Sequence, residues 1–306
     1  MRTVITGATS FLGQKLLETL LNYDHDCYAI VRPESLSKMN RFANHPNLHI
    51  VTKDVTDVDG WKKQIEDCDL FYHLAWSGVG AAGRADPAIQ EKNVQTTLAC
   101  MSAASEMKCK RFLFAGSQAE YGPTDDPVDE SYPCHPVIEY GKGKLKVQQL
   151  CTELSQRLNM EYVHCRIFSV YGAGDHPWTL VSQCIDSFLA DQNVDLSSCE
   201  QTWNFLYVDD AVYMMYLLGL CELYEKDTIY NIASADTRPL KDFVHDIWTA
   251  CGCKGIANFG GRVGAIEKAY GINPCADKLF RTIQWMPTTS FPDGIMEIIR
   301  ERKSSI

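Results

Sequence analysis

The chain has 306 residues, 45% hydrophobic and 22% charged, the balance of a soluble globular enzyme able to bury a sizeable core. Its formal charge of −10 argues against a sequence-independent nucleic-acid binder, whose contact face would be basic. No apolar run approaches the ~20 residues of a membrane span, and the first residues enter a strand without the pattern of a signal peptide.

Thr3–Thr6 is a short β-branched run of the kind found in buried parallel strands. Gly7 permits a sharp turn, and from Phe11 the apolar residues Phe11, Leu12, Leu16 and Leu20 recur at helical spacing. Strand, glycine turn and helix together aim backbone N–H groups and a helix N-terminus at one point, which attracts a phosphate. Two glycines alone also suit an ordinary turn. At the first strand, however, they predict a dinucleotide site, with Gly7 turning the chain and Gly13 letting the helix pack closely.

Further strands are predicted at Cys27–Val31, Leu48–Val51, Leu70–His73, Arg111–Ala115 and Tyr162–Phe168. Helices are predicted between them at Gly60–Glu66, Ile89–Met107 and Tyr140–Leu158. That alternation predicts a parallel sheet covered by helices on both faces. After Gly172 the pattern loosens: Thr179–Leu189 helical, Phe205–Val208 extended, Asp210–Leu220 helical, Thr228–Ile232 a strand and Pro239–Cys251 a helix. The tail reads as a loop through Trp285-Met-Pro287 and a closing helix. The expected architecture is α/β: a Rossmann doubly wound parallel sheet over residues 1–170, also taking in about 200–234, and a smaller, discontinuous substrate-binding lobe within 171–306. Thirteen cysteines, an odd number, are scattered without zinc-site spacing. They predict buried thiols in a reduced, cytoplasmic protein, and no metal.

The second strand runs into Arg32 where dinucleotide folds meet the adenosine ribose. An acid there suits a free 2′-hydroxyl, whereas a guanidinium can pair with a 2′-phosphate, so Arg32 favours NADP over NAD. Asp54, ending the third strand, suits either the adenine amino group or a turn. Tyr140-Gly-Lys-Gly-Lys144 puts a phenol and an ammonium one helical turn apart. A free phenol, with a pKa near about 10, is a poor base at neutral pH, and an adjacent ammonium favours its phenolate. Gly141 and Gly143 each cost a helix about 1 kcal/mol relative to alanine, which implies a close approach or a frayed start. Ser117 stands just past the C-terminal end of a strand, the edge where ligands bind in open α/β sheets.

Taken in order, these residues resemble the extended short-chain dehydrogenase/reductase family, in its nucleotide-sugar (NAD-dependent) epimerase/dehydratase branch. The series runs from Thr6-Gly7-Ala-Thr-Ser-Phe-Leu-Gly13 through His73-Leu-Ala75, Asn93-Val94 and Ser117 before Tyr121-Gly122. It continues through Tyr140/Lys144, Arg166-Ile-Phe-Ser-Val-Tyr171-Gly172, Tyr207-Val-Asp209-Asp210 and Tyr230-Asn-Ile-Ala-Ser234. The resemblance implies that Tyr140 exchanges a proton with a sugar hydroxyl or ketone, that Lys144 holds the nicotinamide ribose and tunes the phenol, and that Ser117 orients the reacting oxygen. Gly7, Ser10, Phe11, Leu12, Gly13, Arg32, Asp54, Val55, Leu74, Ala75, Asn93 and Phe168 would line the cofactor. Trp76, Ser77, Arg84, Gln118, Ser169 and Asn204 would face a small-molecule substrate, a sugar nucleotide. The helices Asn93–Met107 and Tyr140–Leu158 would form a homodimer interface.

Departures from the family pattern narrow the reading. Ser10 replaces the usual middle glycine. Gln118 and Ala119 stand where 4,6-dehydratases carry an acid pair, which argues against that elimination. Ser169 replaces an asparagine, and Gln201-Thr-Trp-Asn204 stands where an arginine often binds the diphosphate. The expected activity is an NADP(H)-dependent 4-keto sugar reductase. The alternative is a sugar-nucleotide epimerase with tightly bound NAD, and the third reading is a non-catalytic dinucleotide sensor.

Overall fold

The computed structural model describes residues 1–223, 228–262 and 270–304. The strands are β1 (Arg2–Thr6), β2 (Asp26–Val31), β3 (Leu48–Thr52), β4 (Leu70–His73), β5 (Arg111–Ser117) and β6 (Glu161–Ile167), followed by β7 (Ser169–Tyr171), β8 (Val194–Leu196), β9 (Thr202–Tyr207), β10 (Ile229–Ile232), β11 (Thr237–Pro239) and β12 (Ala257–Phe259). The helices are α1 (Phe11–Asn22), α2 (Val58–Lys62), α3 (Ala81–Arg84), α4 (Pro87–Glu106) and α5 (Glu139–Leu158), then α6 (Leu180–Leu189), α7 (Val208–Leu220), α8 (Leu240–Ala250), α9 (Asp277–Ile283) and α10 (Phe291–Ser304).

The central sheet has the order β10-β6-β5-β4-β1-β2-β3, with every neighbouring pair parallel. Strand order reverses at β1, so a crevice opens at the C-terminal ends of β1 and β4. Alternation along the strands builds two cores. Val4, Phe71, Phe112 and Phe114 face one side and pack with residues of α4 and α5. Their neighbours Ile5, Tyr72 and Leu113 face the other side and pack with α1 and α7. Each fully buried side chain of this size contributes roughly 1.5–3 kcal/mol relative to exposure, which is why these apolar runs settle as central strands. A third core joins β7, β9, α6, α8 and α10 beside the sheet.

The main α/β alternation follows the sequence, and the differences are local. The helix expected at Gly60–Glu66 is the single turn α2, capped by Asp57 accepting from the Gly60 N–H at 3.1 Å. Helix α4 starts earlier, at Pro87, because Asp86 accepts from the Ala88 and Ile89 N–H groups. A 3₁₀ segment, Pro33–Phe42, follows β2, and α9 occupies part of the expected tail loop.

Beneath the C-terminal end of β5 lies a buried ion cluster. Glu120 has no solvent exposure, and its Oε1 accepts from the Ser117 N–H at 2.7 Å. Its Oε2 lies 3.0 Å from Arg166 Nε and 2.9 Å from His164 Nε2, while Tyr162 Oη meets His164 Nδ1 at 2.7 Å. Burial alone would raise the Glu120 carboxyl, but His164, Arg166 and the Ser117 N–H hold it below the ordinary value. Burial pushes His164 below the ordinary imidazole value despite Glu120, so the ring is neutral, donating from Nε2 to the carboxylate and accepting at Nδ1 from Tyr162.

Replacing Glu120 with alanine leaves Arg166 buried without its anion and should cost about 3–5 kcal/mol, read as a lowered urea midpoint at neutral pH. Both depressed groups lose stability as pH falls. His164 loses it once the unfolded imidazole titrates, below its unperturbed 6.5, and Glu120 once the unfolded carboxyl titrates, below 4.5. His164→Gln should flatten the upper part of that acid loss in urea titrations, and an unchanged pH profile would count against this assignment.

Candidate active site

The turn after β1 is fixed by backbone packed on backbone. Gly7 has φ +73°, and a Cβ there would lie 2.7 Å from both the Leu74 carbonyl carbon and the Ala75 nitrogen. A Cβ on Gly13 would lie 2.1 Å from the Gly7 carbonyl oxygen. Ser10 caps α1: its Oγ donates to the Gly7 carbonyl at 2.8 Å and accepts from the Gly13 N–H at 3.0 Å. The hydroxyl is taken up inside the turn, so serine can stand where the middle glycine was expected. The first-turn N–H groups of Phe11 and Leu12 precede the ladder of this 12-residue helix, whose positive end suits a phosphate. Thr6 Oγ1 accepts from the Ala75 N–H at 3.3 Å and meets His73 Nδ1 at 2.9 Å. His73 Nε2 meets Thr97 Oγ1 at 3.1 Å, and burial pushes this imidazole down to about 3, so it is a neutral strut between β1, β4 and α4.

Along the rest of the crevice the expected cofactor residues are already engaged. Arg32 pairs through Nε with Glu34 Oε1 at 3.3 Å, so the guanidinium that suggested a 2′-phosphate carries its own carboxylate. Asp54 Oδ1 accepts from Thr56 Oγ1 at 2.6 Å and Thr56 N–H at 2.9 Å, bonds that hold its carboxyl below the usual range and form a turn. The neighbouring Val55 carbonyl accepts from Trp61 Nε1 at 3.0 Å. Asn93 spends its amide on Ser77, accepting from its N–H at 3.0 Å and donating to its carbonyl at 2.9 Å. It therefore fixes the loop after β4, where a direct cofactor ligand was expected.

At the other side of the crevice, β5 delivers Ser117 and α5 delivers Tyr140 and Lys144. A Cβ on Gly141 would lie 2.3 Å from the Ala119 carbonyl oxygen, and one on Gly143 would press on Gln90 Cβ at 3.3 Å and Trp76 Cζ2 at 3.4 Å. The close approach that these glycines implied is made by the chain itself. Lys144 is 3% exposed, donates to the Ala115 carbonyl at 2.6 Å, and has its Nζ 3.8 Å from the Trp76 ring centroid. The indole is held in turn by Nε1 donating to Gln90 Oε1 at 2.8 Å. Burial pushes the Lys144 ammonium down to about 7; Glu120 opposes the drop and Arg84 adds to it. Burial raises the Tyr140 phenol above its usual value, while a hydrogen bond with Ser117 and the charge of Arg84 pull it back. A phenol with a hydroxyl-bearing strand end nearby and Arg84 and Lys144 over its ring can exchange a proton with a ligand oxygen.

A pocket of about 240 Å³ opens beside Ser117, lined among others by Gln118, Tyr121, Val137, Phe168, Trp203 and Tyr270. Among the described residues, the buried side-chain polar atoms without a partner are Gln118 Oε1 and Trp203 Nε1, both on residues of this lining. Gln118 faces the pocket as expected, and Phe168, expected at the cofactor, lines it too. Asn204, expected to face substrate, does not: it is fully buried, and its amide bonds Ser234, Asp236 and Thr237. The missed residue is its neighbour Trp203, and strand alternation is the signal, because adjacent positions of β9 point oppositely. Ser169 pairs with Phe205 on β7 and lies outside this lining, whereas Trp76 and Arg84 pack on Tyr140. Among the described residues no group of three His, Cys, Asp or Glu could hold a metal, and no helix is long and apolar enough to cross a membrane.

Comparisons with known proteins agree with this geometry. The NAD dependent epimerase/dehydratase family matches residues 3–233. The uncharacterized UDP-glucose epimerase YtcB of Bacillus subtilis is 25% identical, covering 96% of each chain. Among solved structures, UDP-N-acetylglucosamine 4-epimerase from Methanobrevibacter ruminantium superposes with a TM-score of 0.87 at 21% identity, covering 100% of this chain and 99% of that one. UDP-glucuronic acid 4-epimerase from Bacillus cereus, in complex with NAD, superposes with a TM-score of 0.83 at 22% identity, covering 98% and 97%. The fold is theirs, and the family match spans the turn after β1, Ser117, Tyr140 and Lys144: the chain is an enzyme of the NAD dependent epimerase/dehydratase family.

Proposed function

We propose that the protein is a sugar-nucleotide 4-epimerase that keeps NAD bound and uses Tyr140 to take and return the proton of a sugar hydroxyl. The observation that carries this reading is the constellation that β5 and α5 assemble: Ser117 at the end of β5, and on α5 the Tyr140 phenol with Lys144 Nζ 5.6 Å from its ring centroid. Gly7, Gly13 and the N-terminus of α1 fit a pyrophosphate, and the crevice between β1 and β4 fits a dinucleotide. Bound NAD supplies the acceptance and return of a hydride. The chain supplies the rest. Ser117 orients the reacting oxygen, Tyr140 holds or releases its proton, and Lys144 keeps the local potential positive. Gln118 and Trp203 line the pocket beside this constellation, and each holds a buried polar atom without a partner. The NAD-bearing structural relatives and the pairing of Arg32 with Glu34 both favour NAD.

The second reading, an NADP-dependent 4-keto sugar reductase, keeps one observation in its favour: Arg32 ends β2 where no acid stands to bind a ribose 2′-hydroxyl. Thirteen unpaired thiols support a reducing, cytoplasmic setting. Helices α4 and α5 lie side by side on one face of the sheet, and a homodimer through their outer surfaces completes the proposal.

Two measurements test it. Protein purified without added cofactor and then denatured should release stoichiometric NAD; an empty site, or freely exchanging NADP, would give the reading to the reductase. Tyr140→Phe should lower kcat on UDP-sugars by about 10²–10⁴-fold with cofactor retention unchanged. Full activity in that variant would remove Tyr140 from the chemistry.

A further inference from the structure

We propose that Arg84 is a second cation acting on the Tyr140 phenol, so that Tyr140 works between two positioned positive charges. The proposal rests on Tyr140 as the proton-transfer group, and it adds a positioning residue to that reading.

Arg84 ends α3, a four-residue helix in the glycine-rich loop that follows β4. The loop is anchored at several points. Asn93 clamps Ser77, Gln90 Nε2 donates to the Gly83 carbonyl at 2.7 Å, and the Arg84 N–H donates to the Gly80 carbonyl at 2.9 Å. A Cβ on Gly83 would lie 2.4 Å from Gly78 Cα, so the two ends of the loop touch. This backbone places the guanidinium over the phenol ring, its carbon 4.3 Å from the centroid.

Lys144 Nζ is farther away, at 5.6 Å, and is spent on the Ala115 carbonyl and the Trp76 ring. Its burial leaves it only partly charged near neutral pH, whereas a guanidinium stays protonated throughout. The charged groups acting on the phenol are Arg84 from α3, Lys144 from α5 and Glu120 from the turn after β5. Asp86, two residues beyond Arg84, is committed to capping α4, its Oδ1 accepting from the Ala88 and Ile89 N–H groups. A cation over the ring favours phenolate over phenol, the form that accepts a proton from a sugar hydroxyl.

Ring-carbon NMR of tyrosine-labelled, NAD-loaded protein follows this without a substrate, the Tyr140 resonance being assigned by its absence in Tyr140→Phe. In Arg84→Met the Tyr140 midpoint should rise by about one pH unit. Arg84→Lys, which keeps a charge but on a shorter, rotating ammonium, should fall between the two. The acid limb of kcat/KM should move upward with the midpoint. An unmoved midpoint in Arg84→Met overturns the proposal, as does a raised KM with an unmoved midpoint, which would make Arg84 a substrate ligand alone. Should Tyr140→Phe stay fully active, the function assigned to Tyr140 fails, while the midpoint still reports whether Arg84 acts on the phenol.

Discussion

The Glu120 carboxylate, shut off from water, is the constraint on which the site depends. A buried carboxylate persists only when cations and N–H groups surround it. Here Arg166 and His164 from β6 and the Ser117 N–H from β5 converge on one side chain. Because the same carboxylate holds the backbone of Ser117, the hydroxyl that meets Tyr140 is placed by charges lying beneath it. The cluster also reaches Lys144, whose ammonium Glu120 helps to keep charged inside an apolar setting. Geometry and electrostatics of the proton-transfer group thus share one support.

Close packing supplies the second constraint. Gly7 and Gly13 let the chain cross itself within a few residues and set the N-terminus of α1 over the C-terminal edge of β1. On α5, Gly141 admits the turn after β5 and Gly143 admits the Trp76 indole. That indole covers Lys144 and meets the Tyr140 ring edge-on at 6.2 Å. A helix that tolerates two glycines in its first turns gives up propensity for this contact. What it gains is a tyrosine and a lysine locked between β5 and the loop after β4.

The fold was largely legible in the sequence because its signal is local. β-branched and aromatic runs such as Thr3–Thr6 and Leu70–His73 can bury both faces only as central strands. Helices such as α4 and α5 announce themselves by length and period. That Tyr140, Lys144 and Ser117 come together at one edge was legible because a hydroxyl past a strand end and a phenol and ammonium one helical turn apart are local patterns. The roles of Asn93 and Asn204 were not legible, since an amide that fixes a loop and one that binds a ligand look alike until its partners are known. Glu120 was missed because a carboxylate two residues past a turn reads as solvated; only the return of β6 beside β5 brings Arg166 and His164 to it. Trp203 escaped because its importance depends on which face of β9 looks into the pocket. Arg32 shows the same limit: the sequence does not reveal that its neighbour Glu34, two residues on, pairs with its guanidinium.

Burial acts on Tyr140 and Lys144 in opposite senses, and that opposition explains why the site needs the rest of its charges. Desolvation keeps the phenol protonated and strips the ammonium toward neutrality, so a Tyr–Lys pair alone in an apolar cleft would drift to its uncharged forms. Glu120 resists the loss of charge at Lys144 but, lying behind Ser117, disfavours the phenolate. On the reading proposed above, a second cation against the phenol ring offsets both effects at Tyr140. Arg84 supplies that charge in the proposal, its guanidinium carbon 4.3 Å from the ring centroid. In that proposal the loop after β4 joins the proton-transfer site, and its anchoring by Asn93 and Gln90 fixes where the Arg84 charge sits.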